Sequence, residues 1–242
     1  MINAYMNWSG GKDSALCLYK AMESRKYNVT QLLTSVNYVH DRISMHGVRR
    51  SLLEAQAKSI GIPLETIELS EQPGMEEYER SMMKKISQLR DAGCTHTIFG
   101  DIFLEDLRAY RENKLQKADV TCVFPLWKIN TSELVKEFIE LGFRSIIVCV
   151  NEKYLDKSFC GRIIDQSFLD DLPVHVDPCG ENGEFHSFVF EAPIFKEKIS
   201  FSKGEIVYRK YQAPKNNDTC HTKADPSQYG FYFCDLLPEN HI

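Results

Sequence analysis

Apolar residues recur along this chain with two periods that alternate in order. Short runs rich in apolar and β-branched residues at 2–6, 29–39, 64–69, 95–99 and 120–123 read as strands. The segments between them carry apolar residues three and four positions apart and read as helices. The first spans 13–25, with Ala15, Leu16, Tyr19 and Met22 on one face. The second spans 47–60, with Val48, Leu52, Ala55 and Ile60 inward, and is stopped by Gly61 and Pro63. A third, 74–91, aligns Tyr78, Met82, Ile86 and Leu89, and a fourth covers 105–118. This alternation predicts an α/β fold with a parallel sheet and helices on both of its faces. Right-handed crossovers then carry the loops 8–12, 35–46 and 100–108 to one edge of the sheet, where such folds bind ligands.

The rhythm changes at Pro125-Leu126-Trp127. A helix is expected at 130–141 with Asn130 as N-cap, a strongly apolar strand at 143–150, and a helix at 161–171 on Ile163, Ile164, Phe168 and Leu172. A turn-rich loop leads into an alternating strand near 185–190, and short strands follow in 199–211. From Ala213 the chain is polar with scattered aromatics. The pattern divides the chain into a first domain at 1–127, a smaller α/β domain at 128–211 and a peripheral extension at 212–242.

Composition narrows the class. The 242 residues are 43% apolar and 26% charged, with a formal charge of −5, as in a soluble globular protein. No long Lys/Arg run favours non-specific nucleic-acid binding. No stretch reaches the roughly 18 apolar residues of a membrane span, and no signal-peptide pattern opens the chain. The eight cysteines form no Cys-x-x-Cys motif, so most read as buried thiols in a reducing compartment. A cytoplasmic enzyme is the expectation. Cys220, His221 and Cys234, with His241, offer metal-ligand chemistry at a spacing that fits no standard site.

The candidate chemistry begins at Trp8-Ser9-Gly10-Gly11-Lys12-Asp13-Ser14. It breaks the first strand and opens the first helix. Two glycines allow a tight turn and close ligand approach. The helix N-terminus, the Ser9 and Ser14 hydroxyls and Lys12 complete a phosphate site. Asp13 suits Mg²⁺ or a helix cap. The loop is not a Walker A motif, because Met6 stands where the first glycine belongs and Asp13 follows the lysine. It resembles the pyrophosphate loop of the ATP pyrophosphatases. A second group, Gly180-Glu181-Asn182-Gly183-Glu184-Phe185-His186, sets two carboxylates three residues apart. Such a pair can hold Mg²⁺ or act as general base, and equally can be a hairpin turn with solvated glutamates.

Together with Gly100-Asp101-Ile102, Leu141-Gly142-Phe143 and Gly161-Arg162, these motifs occur in the order found in the diphthine–ammonia ligase family, also named the ATP-binding domain 4 family. The resemblance covers roughly residues 1 to 211. It implies a HUP-type, Rossmann-like nucleotide-binding domain with five parallel strands, followed by a smaller α/β substrate domain. The implied reaction uses ATP and Mg²⁺ to adenylate a carboxylate. Ammonia then displaces AMP to leave an amide. In diphthamide synthesis the carboxylate is diphthine on elongation factor 2. The resemblance assigns catalysis to Lys12, Glu181 and Glu184. It assigns nucleotide binding to Ser9, Gly10, Gly11, Lys12, Asp13, Ser14, Gly100 and Asp101, and Mg²⁺ to Asp13 with Asp101. Arg162 is a candidate anion partner, and His46 a candidate for reaching the nucleotide. Two alternatives stay open: a non-catalytic adenine-nucleotide-binding protein, and a pyrophosphate-loop RNA-modifying enzyme. A homodimer is compatible with the family.

Overall fold

The structure, a computed structural model, describes residues 1–43, 46–70, 74–211 and 229–239. The first sheet contains β1 (Ile2–Asn7), β2 (Tyr27–Asn37), β4 (Leu64–Leu69), β5 (His96–Ile98) and β6 (Thr121–Val123). These five pair in parallel in the order β4-β2-β1-β5-β6. A two-residue strand, β3 (Arg42–Ile43), runs antiparallel to the end of β2.

The alternation of apolar residues explains why the sheet is covered on both sides. Ala4 and Met6 of β1, with Leu32 and Val36 of β2, join the core beneath α1 (Lys12–Glu23) and α2 (Arg50–Ile60). Tyr5, Leu33 and Ile67 point the other way, onto α3 (Met75–Asp91) and α4 (Glu105–Gln116). The chain moves from β1 outward through β2 to β4, then returns across β1 to β5. The reversal leaves a crevice between the ends of β1 and β5, the switch point at which open α/β sheets take ligands.

The second sheet is antiparallel, in the order β8-β7-β10-β9. Its strands are β7 (Arg144–Asn151), β8 (Phe185–Glu191), β9 (Phe201–Tyr211) and β10 (Tyr229–Pro238). α5 (Thr131–Glu140) begins at Asn130, whose side chain accepts from the Ser132 and Glu133 amides. One apolar core runs from beneath the first sheet into the second, so the two parts share packing.

Two expectations change here. Residues 229–238, expected in a peripheral extension, form an interior strand that pairs with both β7 and β9. Cys234 and Leu236 of this strand are buried. The helix expected at 161–171 starts only at Gln166 (α6, Gln166–Asp171). Its first half is extended instead, with Ile163 bridging to Ile146 of β7. Asp165 then caps α6 by accepting from the Phe168 amide. Cys220, His221 and His241 lie outside the described residues.

Candidate active site

The loop after β1 is shaped by what crowds it. Gly10 sits at φ +75°, in the left-handed region that favours glycine, and a Cβ there would stand 2.7 Å from the Gln56 Oε1. Gln56 is fully buried on α2. Its Nε2 donates to the carbonyls of Gly10 (3.1 Å) and Val189 (2.6 Å), and its Oε1 accepts from Trp8 Nε1 at 2.9 Å. The Val189 amide in turn donates to the Gly10 carbonyl at 2.9 Å. The loop is therefore held by α2 from the first domain and by β8 from the second. Gly11 N-caps α1, and its amide meets the Ser9 hydroxyl at 3.2 Å. Ser9 Oγ donates to Ser14 Oγ, which donates to the Gly11 carbonyl. The Lys12 amide reaches Ser187 Oγ of β8 at 3.2 Å.

Lys12 is buried, with its ammonium paired to Asp13: Nζ lies 2.8 and 2.7 Å from the two carboxylate oxygens. Burial disfavours the Lys12 charge, but the Asp13 carboxylate outweighs it and holds the ammonium protonated. Burial pushes the Asp13 carboxyl up, against the pull of Lys12. Gly100, at the end of β5, must be small. A Cβ there would meet the Asp13 backbone at 3.1 Å. Asp101 pairs with Arg111 at 2.7 Å.

The two glutamates of the second motif do different things. Glu181 enters the cleft and accepts from the Ile102 amide at 2.9 Å, directly after Gly100-Asp101. Burial, followed by the charge on Asp13, raises its carboxyl to about 7. Glu184 is turned away. It is 1% exposed, and its carboxylate accepts from the Asp177 amide, the Asn182 amide and Asn182 Nδ2 at 2.8–3.0 Å. It folds the loop that presents Glu181. Asp177 does the same from the other side, accepting from the Cys179 and Glu181 amides and from Thr131 Oγ1. Removing Glu184 strands these buried donors, each worth about 1–3 kcal/mol. Glu184→Ala is thus expected to lower the melting temperature and to speed amide exchange at Asp177 and Asn182. Unchanged protection at those two amides would show that the loop does not depend on it.

The first loop, the ends of β2, β4 and β5, and the 179–187 segment enclose a cleft of about 1120 Å³. Ser9, Gly11, Lys12, Asp13, Ser14, Gly100, Asp101 and Glu181 all line it, as does His46. Arg162 does not. It pairs with Asp171 at 2.8 Å and lies over the Phe159 ring. Burial pushes the Cys160 thiol up to about 12, leaving it a poor nucleophile. Gln56 and Asp177 carry no signal of their roles in the sequence. His186 carries only its place beside Glu184. Among the described residues no group of three or more His, Cys, Asp or Glu side chains is placed to hold a metal ion. No described helix is long and apolar enough to cross a membrane.

Comparison with known proteins follows the same two-part division. Residues 2–119 match the diphthamide synthase N-terminal domain, and residues 130–217 match the diphthamide synthase C-terminal domain. The diphthine–ammonia ligase of Bos taurus is 32% identical over 115 residues, 45% of this chain and 42% of that protein. The matched stretch thus spans less than half of that relative's length. The diphthine–ammonia ligase of Danio rerio is 24% identical over 225 residues, 82% of this chain and 86% of that protein. Among solved structures, a predicted subunit of tRNA methyltransferase from Methanocaldococcus jannaschii aligns with a TM-score of 0.39 at 18% identity, over 65% of this chain and 82% of that one. With both domain models matched in order over most of its length, the chain belongs to the diphthamide synthase family.

Proposed function

We propose that this protein is an ATP-dependent amide ligase that adenylates the carboxylate of a protein-borne diphthine and transfers ammonia to it. The observation that carries this reading is one cleft in which the glycine loop at the start of α1 faces the Glu181 carboxylate. Two half-reactions need these two parts. In the first, a carboxylate oxygen attacks the α-phosphorus of ATP and the bond to pyrophosphate breaks. Negative charge grows on the leaving group, and the Lys12 ammonium and the α1 N-terminus stand ready to meet it. In the second, ammonia attacks the acyl carbon, the C–O bond to AMP breaks, and one proton is released. Glu181, poised near neutrality, is matched to take that proton.

Magnesium enters with the nucleotide as part of the substrate. The donor chemistry suits it, since Mg²⁺ is commonly bound by one or two carboxylates plus substrate phosphates, and the Asp13 charge already raises Glu181 beside it. The names of the relatives support the choice of diphthine and ammonia. The test is incubation of the chain with ATP, ammonium and elongation factor 2 carrying diphthine. The expected products are AMP, pyrophosphate and the amidated side chain. Failure to form AMP with that carboxylate would overturn the reading.

Glu181 also fixes a pH dependence. Its folded carboxyl binds a proton more tightly than it would unfolded, so folding favours the protonated form. Stability tied to Glu181 is therefore complete below the ordinary carboxylate range and is lost as pH rises toward about 7. Glu181→Gln should flatten that slope in thermal melts between acid and neutral pH, while abolishing the rise of amide formation through neutrality. A variant with the wild-type pH profile would remove Glu181 from the proton-accepting role.

A further inference from the structure

The mechanism above leaves unassigned a pair of histidines that neither domain contains alone. His46 comes from the loop between β3 and α2, and His186 from β8. Their rings stack with centroids 4.4 Å apart and planes 23° from parallel, and both line the cleft. The pair is held deliberately. Gly47, at φ +69°, packs against Phe233 of β10, and its carbonyl accepts from Arg42. Asp235 of the same strand clamps Arg42 and Arg49 on either side of the loop. His46 Cε1 stands 3.4 Å from where a Gly11 Cβ would be, which puts the pair beside the phosphate loop.

The chemistry of the pair is that of neutral imidazole. His46 bonds the Ser187 backbone, while its Nδ1 is buried with no partner among the described residues, so a second ring proton there would go unsatisfied. His186 lies against this neutral ring, and burial and the Lys12 charge keep it neutral down to about 4. A neutral imidazole offers one acceptor nitrogen, suited to an N–H donor. The Lys12 ammonium disfavours a second cation at the same place. A small neutral amine satisfies both conditions, and ammonium does not.

We propose that His186, backed by the stacked ring of His46, receives neutral ammonia and aims its lone pair at the activated carboxyl carbon. This deepens the ligase reading and rests on it. An N–H of ammonia would be held by the His186 acceptor nitrogen. The new C–N bond forms as the C–O bond to AMP breaks, and the surplus proton passes to Glu181 or solvent. His186 is then a nucleophile-positioning residue, and His46 supports it.

Two variants separate this from a role as glue between domains. His186→Phe keeps a stacking ring and loses the acceptor; His186→Asn keeps an acceptor and loses the ring. With elongation factor 2 carrying diphthine, His186→Phe is expected to raise KM for ammonia about tenfold, as the loss of one hydrogen bond predicts. Carboxylate-dependent exchange of pyrophosphate into ATP, which uses no ammonia, should persist. His186→Asn should recover much of the affinity for ammonia. A second readout needs no turnover. In protein with ¹⁵N-labelled histidine, ammonium chloride at alkaline pH should shift a His186 ring nitrogen, whereas potassium chloride should not. Unchanged KM for ammonia in His186→Phe, or no ammonia-specific shift, overturns the proposal. Absence of exchange in the wild-type chain would overturn the ligase reading instead.

Discussion

Lys12→Met should lower AMP and pyrophosphate formation by roughly two to three orders of magnitude, the usual effect of removing a group that meets charge developing in a transition state. The side chain is 5% exposed and its ammonium pairs with Asp13, so the substitution also has a structural cost. It leaves the Asp13 carboxylate without its cation. Breaking a buried pair costs about 3–5 kcal/mol. The Asp13 side chain is 31% exposed, and solvent screening reduces that figure to about 2 kcal/mol. Loss of activity in the single variant would therefore mix chemistry with folding. The double variant Lys12→Met, Asp13→Asn separates them, because it removes the charge left behind. Its melting temperature should return most of the way to wild type while activity stays lost. Activity within tenfold of wild type in Lys12→Met would sink the assignment. Recovery of turnover in the double variant would mean that the lysine serves only to neutralise Asp13.

The same ion pair shows what was legible in the sequence. Ser9-Gly10-Gly11-Lys12-Asp13-Ser14 was legible as a tight turn opening a helix because the requirements are local: glycines for the turn, a helix start, hydroxyls and a cation within six residues. The parallel sheet was equally legible, since strand and helix periods alternate along the first part of the chain. Features that depend on distant partners were not. Strand β10 read as periphery because the stretch leading to it from Ala213 is polar; the strand itself is apolar and aromatic apart from Asp235, which pairs with Arg42 and Arg49 nearly two hundred residues away. The spacing of Ile163, Ile164, Phe168 and Leu172 suits a helix, yet Ile146, in the part of β7 that precedes its pairing with β10, takes Ile163 as a bridge partner. Glu181 and Glu184 look equivalent in sequence. Only the fold of the loop shows that one carboxylate faces the cleft and the other faces its own backbone.

Gln56→Ala should be the most destabilising single change at the junction of the domains. Gln56 sits on the face of α2 that carries Leu52, Leu53, Ala57 and Ile60, where it is wholly buried and uses both ends of its amide. Truncation leaves the Trp8 indole N–H and the Val189 carbonyl buried and short of partners. It also opens a cavity beside the Gly10 turn. Two such groups at about 1–3 kcal/mol each place the loss near 4 kcal/mol. For a chain of this size that is a fall of roughly 10 °C in melting temperature. Gln56→Glu sharpens the test, because it preserves shape and the acceptor for Trp8 while replacing the donor. An ionised carboxylate would then face the carbonyls of Gly10 and Val189, so its folded pKa must rise. A carboxyl raised by folding stabilises only while protonated, and the variant should approach wild-type stability at acid pH and lose it as pH rises. In both variants the Gly10 turn loses its support from α2, and KM for ATP should rise with the loss of stability. A Gln56→Glu protein whose melting temperature matches wild type at neutral pH would mean that the loop is held by the Val189 amide alone.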